Sequence, residues 1–169
     1  MPSEDRIKGI MEFVKGFKDI DIQAVGDGLE CWKLHRQVEQ AFEDDIARWG
    51  LTPRQIEILE VLYFEPAGTA TPAELSDEVN LTRSAMTSAL DSLEQPGHIV
   101  RGPHPSDRRM IVISLTPSGR EFIAQRLPER YRRMATVIGQ LSQKERKLLI
   151  QVYSKILDIF TDDSSGEEK

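Results

Sequence analysis

The side chains best suited to chemistry lie between Leu81 and Thr116, and the chemistry they suit is hydrogen bonding to a polyanion rather than bond making. Arg83, Ser84, Thr87 and Ser88 combine a cation with short hydroxyls, at a spacing that puts them on the outer side of one helix. Asp107, Arg108 and Arg109 stand together in a stretch rich in Pro and Gly, as the tip of a hairpin would. A slim polar helix fits the major groove of a duplex, and arginines beside it reach backbone or minor groove. A carboxylate near phosphate is repelled, so the expected part of Asp107 is to hold a neighbouring arginine in place. Arg101 has two candidate partners, a phosphate or an acid of its own chain.

Catalytic patterns are missing. No G-x-S-x-G, P-loop, G-x-G-x-x-G, H-E-x-x-H or C-x-x-C motif occurs. Asp44 and Asp45 are adjacent, so on a helix they point apart and make a poor acid/base pair. His98 and His104 flank an extended run without a thiol or carboxylate cluster at ligand spacing, which argues against zinc. The expectation is a chain that is no enzyme and needs no metal or cofactor.

The elements that must position these residues are legible from their boundaries. Thr82 is an N-cap, and Met86, Ala89, Leu90 and Leu93 repeat at helical spacing until Pro96 and Gly97 stop the helix. Ile99-Val100 and the returning Met110-Ile111-Val112-Ile113-Ser114-Leu115 read as the two strands of a hairpin. Upstream, Thr71-Pro72-Ala73-Glu74 starts a short helix with Leu75 and Val79 inward, and Asn80-Leu81 turns it into the helix at Thr82. Two short helices joined by so tight a turn form a helix-turn-helix unit.

On either side the pattern is helical. Ile7, Ile10, Met11, Val14 and Phe17 make one stripe, and Val25 to Trp49 another, weakened near its start by Gly26 and Gly28 and ended by Gly50. Thr52-Pro53-Arg54-Gln55 opens a helix burying Ile56, Leu59, Val61 or Leu62, and Tyr63, closed by Pro66-Ala67-Gly68. Thr116-Pro117 opens another, with Phe122, Leu127, Tyr131, Met134 and Ile138 on its apolar side and a kink or break expected at Pro128. Ser142 to Glu145 is a capping box ahead of Leu148, Leu149, Val152, Ile156, Ile159 and Phe160.

The segments LTPRQIEIL, TPAELSDEVNLTRSAMTSALDSLEQPGHIVR and above all SDRRMIVISLTPSGREF resemble the MarR-type winged helix-turn-helix regulators. The resemblance extends from about Gln23 to Phe160. It implies a mainly α fold with a small β-hairpin wing. Residues 1–50 and 117–161 would supply the helices of a dimerisation domain, 51–116 the winged DNA-binding module, and 162–169 a disordered acidic tail. It further implies a homodimeric transcriptional regulator, a repressor, on a pseudo-palindromic site in double-stranded DNA. A small aromatic or anionic effector would occupy a pocket for which Trp32, His35, Arg36, Phe42 and Tyr63 are the candidates. Positions 88 and 92, where many members carry arginine, are serine here, so the second turn of the helix lacks a bidentate guanine ligand. Some members sense peroxide through a cysteine; Cys31 follows Glu30, whose negative charge does not favour a reactive thiolate, so an inert, buried thiol is expected.

Composition permits this reading. The net charge of −6 opposes DNA binding, but Leu81–Arg133 holds nine Lys+Arg against five Asp+Glu, and the remainder 13 against 23. Phosphate attraction is local and screened, so the sign of that segment outweighs the total. No apolar run approaches the roughly 20 residues of a membrane span. One cysteine and a polar N-terminus lead to the expectation of a cytoplasmic protein. The competing class is a dimeric winged-helix adaptor that has lost DNA binding, favoured by the acidic bulk and the serines at 88 and 92.

Overall fold

The computed structural model describes residues 4–104, 107 and 109–164. Its contacts divide the chain into two compact units that meet in sequence between Ile58 and Leu59.

The first unit holds α1 (Glu4–Val14), α2 (Ile22–Ala47) and the start of α3 (Pro53–Phe64). Asp21 caps α2 by accepting from the amides of Gln23 and Ala24, so the helix starts before the glycines and runs through both. Gly26 lies beside Met11 of α1: a Cβ there would meet the Met11 methyl at 3.4 Å, an ordinary contact. Val14 is buried at the end of α1. At α3 the capping box is complete, with Gln55 accepting from the Thr52 amide at 2.8 Å and Thr52 Oγ1 from the Gln55 amide at 3.3 Å. Ile56 and Ile58 are fully buried, the second unforeseen by the helical stripe.

The second unit contains the rest of α3, β1 (Thr69–Ala70), α4 (Pro72–Glu78), α5 (Arg83–Glu94), β2 (Ile99–Pro103), β3 (Ile111–Leu115), α6 (Pro117–Gly139) and α7 (Gln143–Ser164). The expected hairpin is a three-stranded antiparallel sheet in the order β1-β3-β2. Thr69 pairs with Ser114, and Ile99 with Leu115 through to Pro103 with Ile111. β1 escaped notice because two residues carry no period. Leu59, Leu62, Leu75, Val79, Met86, Leu90, Leu93, Ile99, Val112, Ile113, Ile123 and Leu127 are among the buried side chains of this unit, with Ala70 and Thr71.

The junction of β3 and α6 is clamped. Thr116 Oγ1 accepts from the Gly119 amide at 2.9 Å and donates to the Gly97 carbonyl at 2.6 Å; Ser118 Oγ donates to the same carbonyl at 3.1 Å. Gly119 must be glycine, since a Cβ would fall 1.8 Å from the His98 carbonyl oxygen. Leu-Thr-Pro-Ser-Gly is therefore the device that seats the base of the hairpin on α6.

Three expectations about the C-terminal half need correction. α6 is not broken at Pro128: the helix is assigned without interruption from Pro117 to Gly139. Its buried side chains are Ile123 and Leu127, while Tyr131 and Met134 are exposed. α7 continues to Ser164, so residues 162–164, assigned in sequence to a disordered tail, are helical, and 165–169 lie outside the described residues. Leu148, Ile150, Leu157 and Phe160 of α7 are each at least 60 % exposed. Among the described residues no helix is long and apolar enough to cross a membrane.

Candidate nucleic-acid interface

The turn between α4 and α5 is made by Asn80 at φ +50°, and the Leu81 amide donates to the Ser76 carbonyl at 3.0 Å. Thr71 and Glu74 form a capping box at α4, and these hydrogen bonds from Thr71 hold the Glu74 carboxyl below its ordinary pKa. Thr82 caps α5, its Oγ1 accepting from the Ala85 amide at 3.3 Å. With Met86, Leu90 and Leu93 buried, the opposite side of α5 carries Arg83, Ser84, Thr87 and Ser88, all exposed as the spacing required.

The wing is tied from within. Asp107 Oδ1 accepts from the Arg109 amide at 2.9 Å, the Asp107 carbonyl accepts from the Met110 amide at 3.0 Å, and the His104 amide donates to the Met110 carbonyl at 2.9 Å. Asp107 thus shapes the loop through the backbone of Arg109, leaving that side chain exposed. Arg108 lies outside the described residues.

Arg83, Thr87 and Arg109 line one groove of about 770 Å³ between the N-terminal turns of α4 and α5 and the wing. Thr71, Ile111 and the acidic Asp77 also line it. This proximity is tertiary: Arg83 and Arg109 belong to different elements, and no spacing in the sequence announces it. A cation and a hydroxyl on the helix and a second cation on the wing, around one concavity, suit a duplex whose groove takes the helix while its backbone meets the wing.

Arg101 does not join that surface as a free phosphate ligand. Its Nη2 lies 2.7 Å from Asp91 Oδ1 and its Nη1 2.6 Å from Glu94 Oε2, and its amide donates to Glu94 Oε1 at 3.2 Å. Of the two partners open to it in sequence, the structure gives it the acids. The i+7 and i+10 separations cross a helix end and a turn, so no local rule pairs these groups.

Two further clusters stand behind the sheet and α6. The His98 ring packs on Phe122 with centroids 4.3 Å apart, and the Arg126 guanidinium lies 3.5 Å from the same Phe122 centroid. Burial, then the charge of Arg126, pushes the His98 pKa down. Tyr131 donates to Glu60, and Arg130 Nε lies 3.6 Å from Glu60. Although much of the ring is exposed, desolvation around the hydroxyl, then the Glu60 hydrogen bond, raises the Tyr131 pKa to about 12.

The effector candidates fall on two elements. On α2, Trp32 and His35 stack with centroids 6.1 Å apart, Trp32, His35 and Arg36 are exposed, and Phe42 is half-buried. On α3, Tyr63 is half-buried and receives the Arg120 guanidinium 5.3 Å from its ring centroid. Cys31, expected to be buried, is exposed, because α2 turns that side to solvent. Among the described residues, no group of three or more His, Cys, Asp or Glu is placed to hold a metal ion.

Comparison with known proteins agrees with this geometry. A family model described as the MarR family matches residues 49–110, from the end of α2 to the wing. The chain is similar to the HTH-type transcriptional repressor YetL of Bacillus subtilis, with 26% identity over 160 residues covering 93% of this chain and 96% of that one. It is similar to the HTH-type transcriptional regulator YwhA of the same organism, with 33% identity over 99 residues covering 59% of this chain and 70% of YwhA. Among solved structures, MepR of S. aureus in its complex with DNA superposes with a TM-score of 0.67 at 22% identity, covering 75% of this chain and 95% of MepR.

Proposed function

The chain belongs to the MarR family of helix-turn-helix transcriptional regulators, and from that premise we propose that it represses transcription as a homodimer on a pseudo-palindromic duplex site. It is a DNA-binding regulator by family, as the MepR–DNA complex of the same fold illustrates. The observation that carries the reading is the groove in which Arg83 and Thr87 of α5 face Arg109 of the wing. α5 enters the major groove with Arg83, Ser84, Thr87 and Ser88, while Arg109, with Arg108 beside it in sequence, engages backbone or minor groove.

The homodimer is supported by α7, whose apolar side chains have no cover in the single chain. Helices from residues 1–50 and 117–161 dimerise, and each winged module, 51–116, presents one α5 to a half-site about one helical turn from the other. Repression is supported by the name of YetL, which matches nearly the whole chain. A small planar anion acting at Trp32, His35 and Arg36 of α2 is the proposed effector class, supported by the exposed ring stack beside a cation. Its binding would favour one spacing of the two modules over another.

The test is selection of bound sequences from random duplexes. A palindromic motif supports both the site and the symmetry; recovery of half-sites without a fixed partner spacing would refute the dimeric reading, and no enrichment would refute DNA recognition.

A further inference from the structure

The hydroxyls of α5 are not free rotors awaiting a base. Thr87 Oγ1 donates to the Arg83 carbonyl at 2.9 Å, Ser88 Oγ to the Ser84 carbonyl at 3.2 Å, and Ser92 Oγ to the Ser88 carbonyl at 2.9 Å. A hydroxyl has one proton to give and two lone pairs to receive. With the proton directed back into the helix, each of these side chains offers acceptors to whatever approaches from outside. Thr87 and Ser88 are exposed, on the side of α5 that also carries Arg83.

Base edges in the major groove differ in what they present. Adenine N6 and cytosine N4 are donors, whereas guanine shows only the acceptors N7 and O6. Accepting from an amino group adds a hydrogen bond to the one already made to the helix. Donating to guanine requires the hydroxyl to rotate and exchange one bond for another, with little net gain. We propose that Thr87 and Ser88 determine sequence preference as acceptors, selecting adenine or cytosine beneath them, and that Arg83 is the one guanine reader of this face of α5. The inference rests on the DNA-binding reading above and specifies how its site discriminates.

The test uses the full chain and duplexes of defined sequence. Selection with the wild-type protein gives the half-site, and selection with Thr87→Val and Ser88→Ala identifies the base pairs whose preference each hydroxyl sets. At those pairs, wild-type binding is measured with the exocyclic amino group removed (purine for adenine, 2-pyrimidinone for cytosine) and, where the base is adenine, with 7-deazaadenine, which lacks only the N7 acceptor. Loss of the amino group is expected to weaken binding about fivefold, the size of one neutral hydrogen bond, and loss of N7 to change it less than about twofold. Because this arm uses unaltered protein, misfolded variants cannot mimic the result. A penalty for 7-deazaadenine without one for the missing amino group, or indifference to loss of the amino group, overturns the proposal while leaving a DNA-binding protein. An absence of any enriched sequence overturns the DNA-binding reading and this inference with it.

Discussion

Arg101 of β2 reaches Asp91 of α5, with Nη2 2.7 Å from Oδ1, and so ties the first strand of the wing to the C-terminal half of the recognition helix. The pair is reinforced by Glu94, which takes both the Arg101 side chain and its amide. The Arg101 side chain is 29% exposed and that of Glu94 35%, against 60% for Asp91, so the Glu94 pair is the better shielded of the two. The two elements proposed to meet one duplex together are in this way fixed to each other.

Arg101→Ala is therefore expected to weaken DNA binding without removing a phosphate contact. Affinity falls at every salt concentration, while the slope of log K against log salt stays that of the wild type. Unfolding by denaturant should show a loss of about 1 kcal/mol, the scale of partly exposed ion pairs in a network. A reduced slope would instead make Arg101 a direct phosphate ligand.

Arg109→Ala separates from it cleanly. Asp107 holds the Arg109 backbone and leaves the side chain exposed in the groove. The variant is expected to bind all duplexes more weakly and to lower the salt slope by about 1, as the loss of one phosphate contact does. Fluorescence anisotropy across a salt series measures both quantities.

Gly119→Ala tests the seat of the wing on α6. An added Cβ lies 1.8 Å from the His98 carbonyl oxygen, a backbone atom that also receives the Thr116 amide. Overpacking against backbone costs about 1–3 kcal/mol or more, so thermal unfolding should shift down by several degrees. An unchanged melting temperature would show that the junction yields.

His98 gives the second unit a pH dependence. Its folded pKa lies below the ordinary 6.5, through burial and Arg126, so the unfolded chain binds the proton more readily. The stability it contributes is present above pH 6.5 and is lost as pH falls through the folded pKa. Melting curves from pH 7.5 downward should decline less steeply for His98→Gln than for the wild type. Parallel curves would remove His98 from the acid response.

Most element starts were legible in sequence because N-caps act locally: Thr52, Thr71, Thr82, Thr116 and Ser142 bond to amides three residues on. The outward face of α5 was legible too, since burial of Met86, Leu90 and Leu93 dictates it. What stayed hidden is non-local. Two-residue β1 exists only because β3 is there to pair with it, while Ile58 and Ile123, each four residues before a buried leucine, fall outside the stripes expected for their helices. The same holds for the acids that claim Arg101. Pro128 misled in the other direction: it gives up one backbone bond, yet α6 continues through it.

The central claim is that a local excess of positive charge, carried by α5, the wing and α6 together, outweighs the −6 carried by the whole chain. Titration of the full-length protein against mixed-sequence duplex DNA over a range of salt concentrations tests this most directly. The account predicts binding whose log K falls linearly and steeply with log salt, by several counterions per dimer. Binding that is absent at low salt, or indifferent to salt, would contradict it.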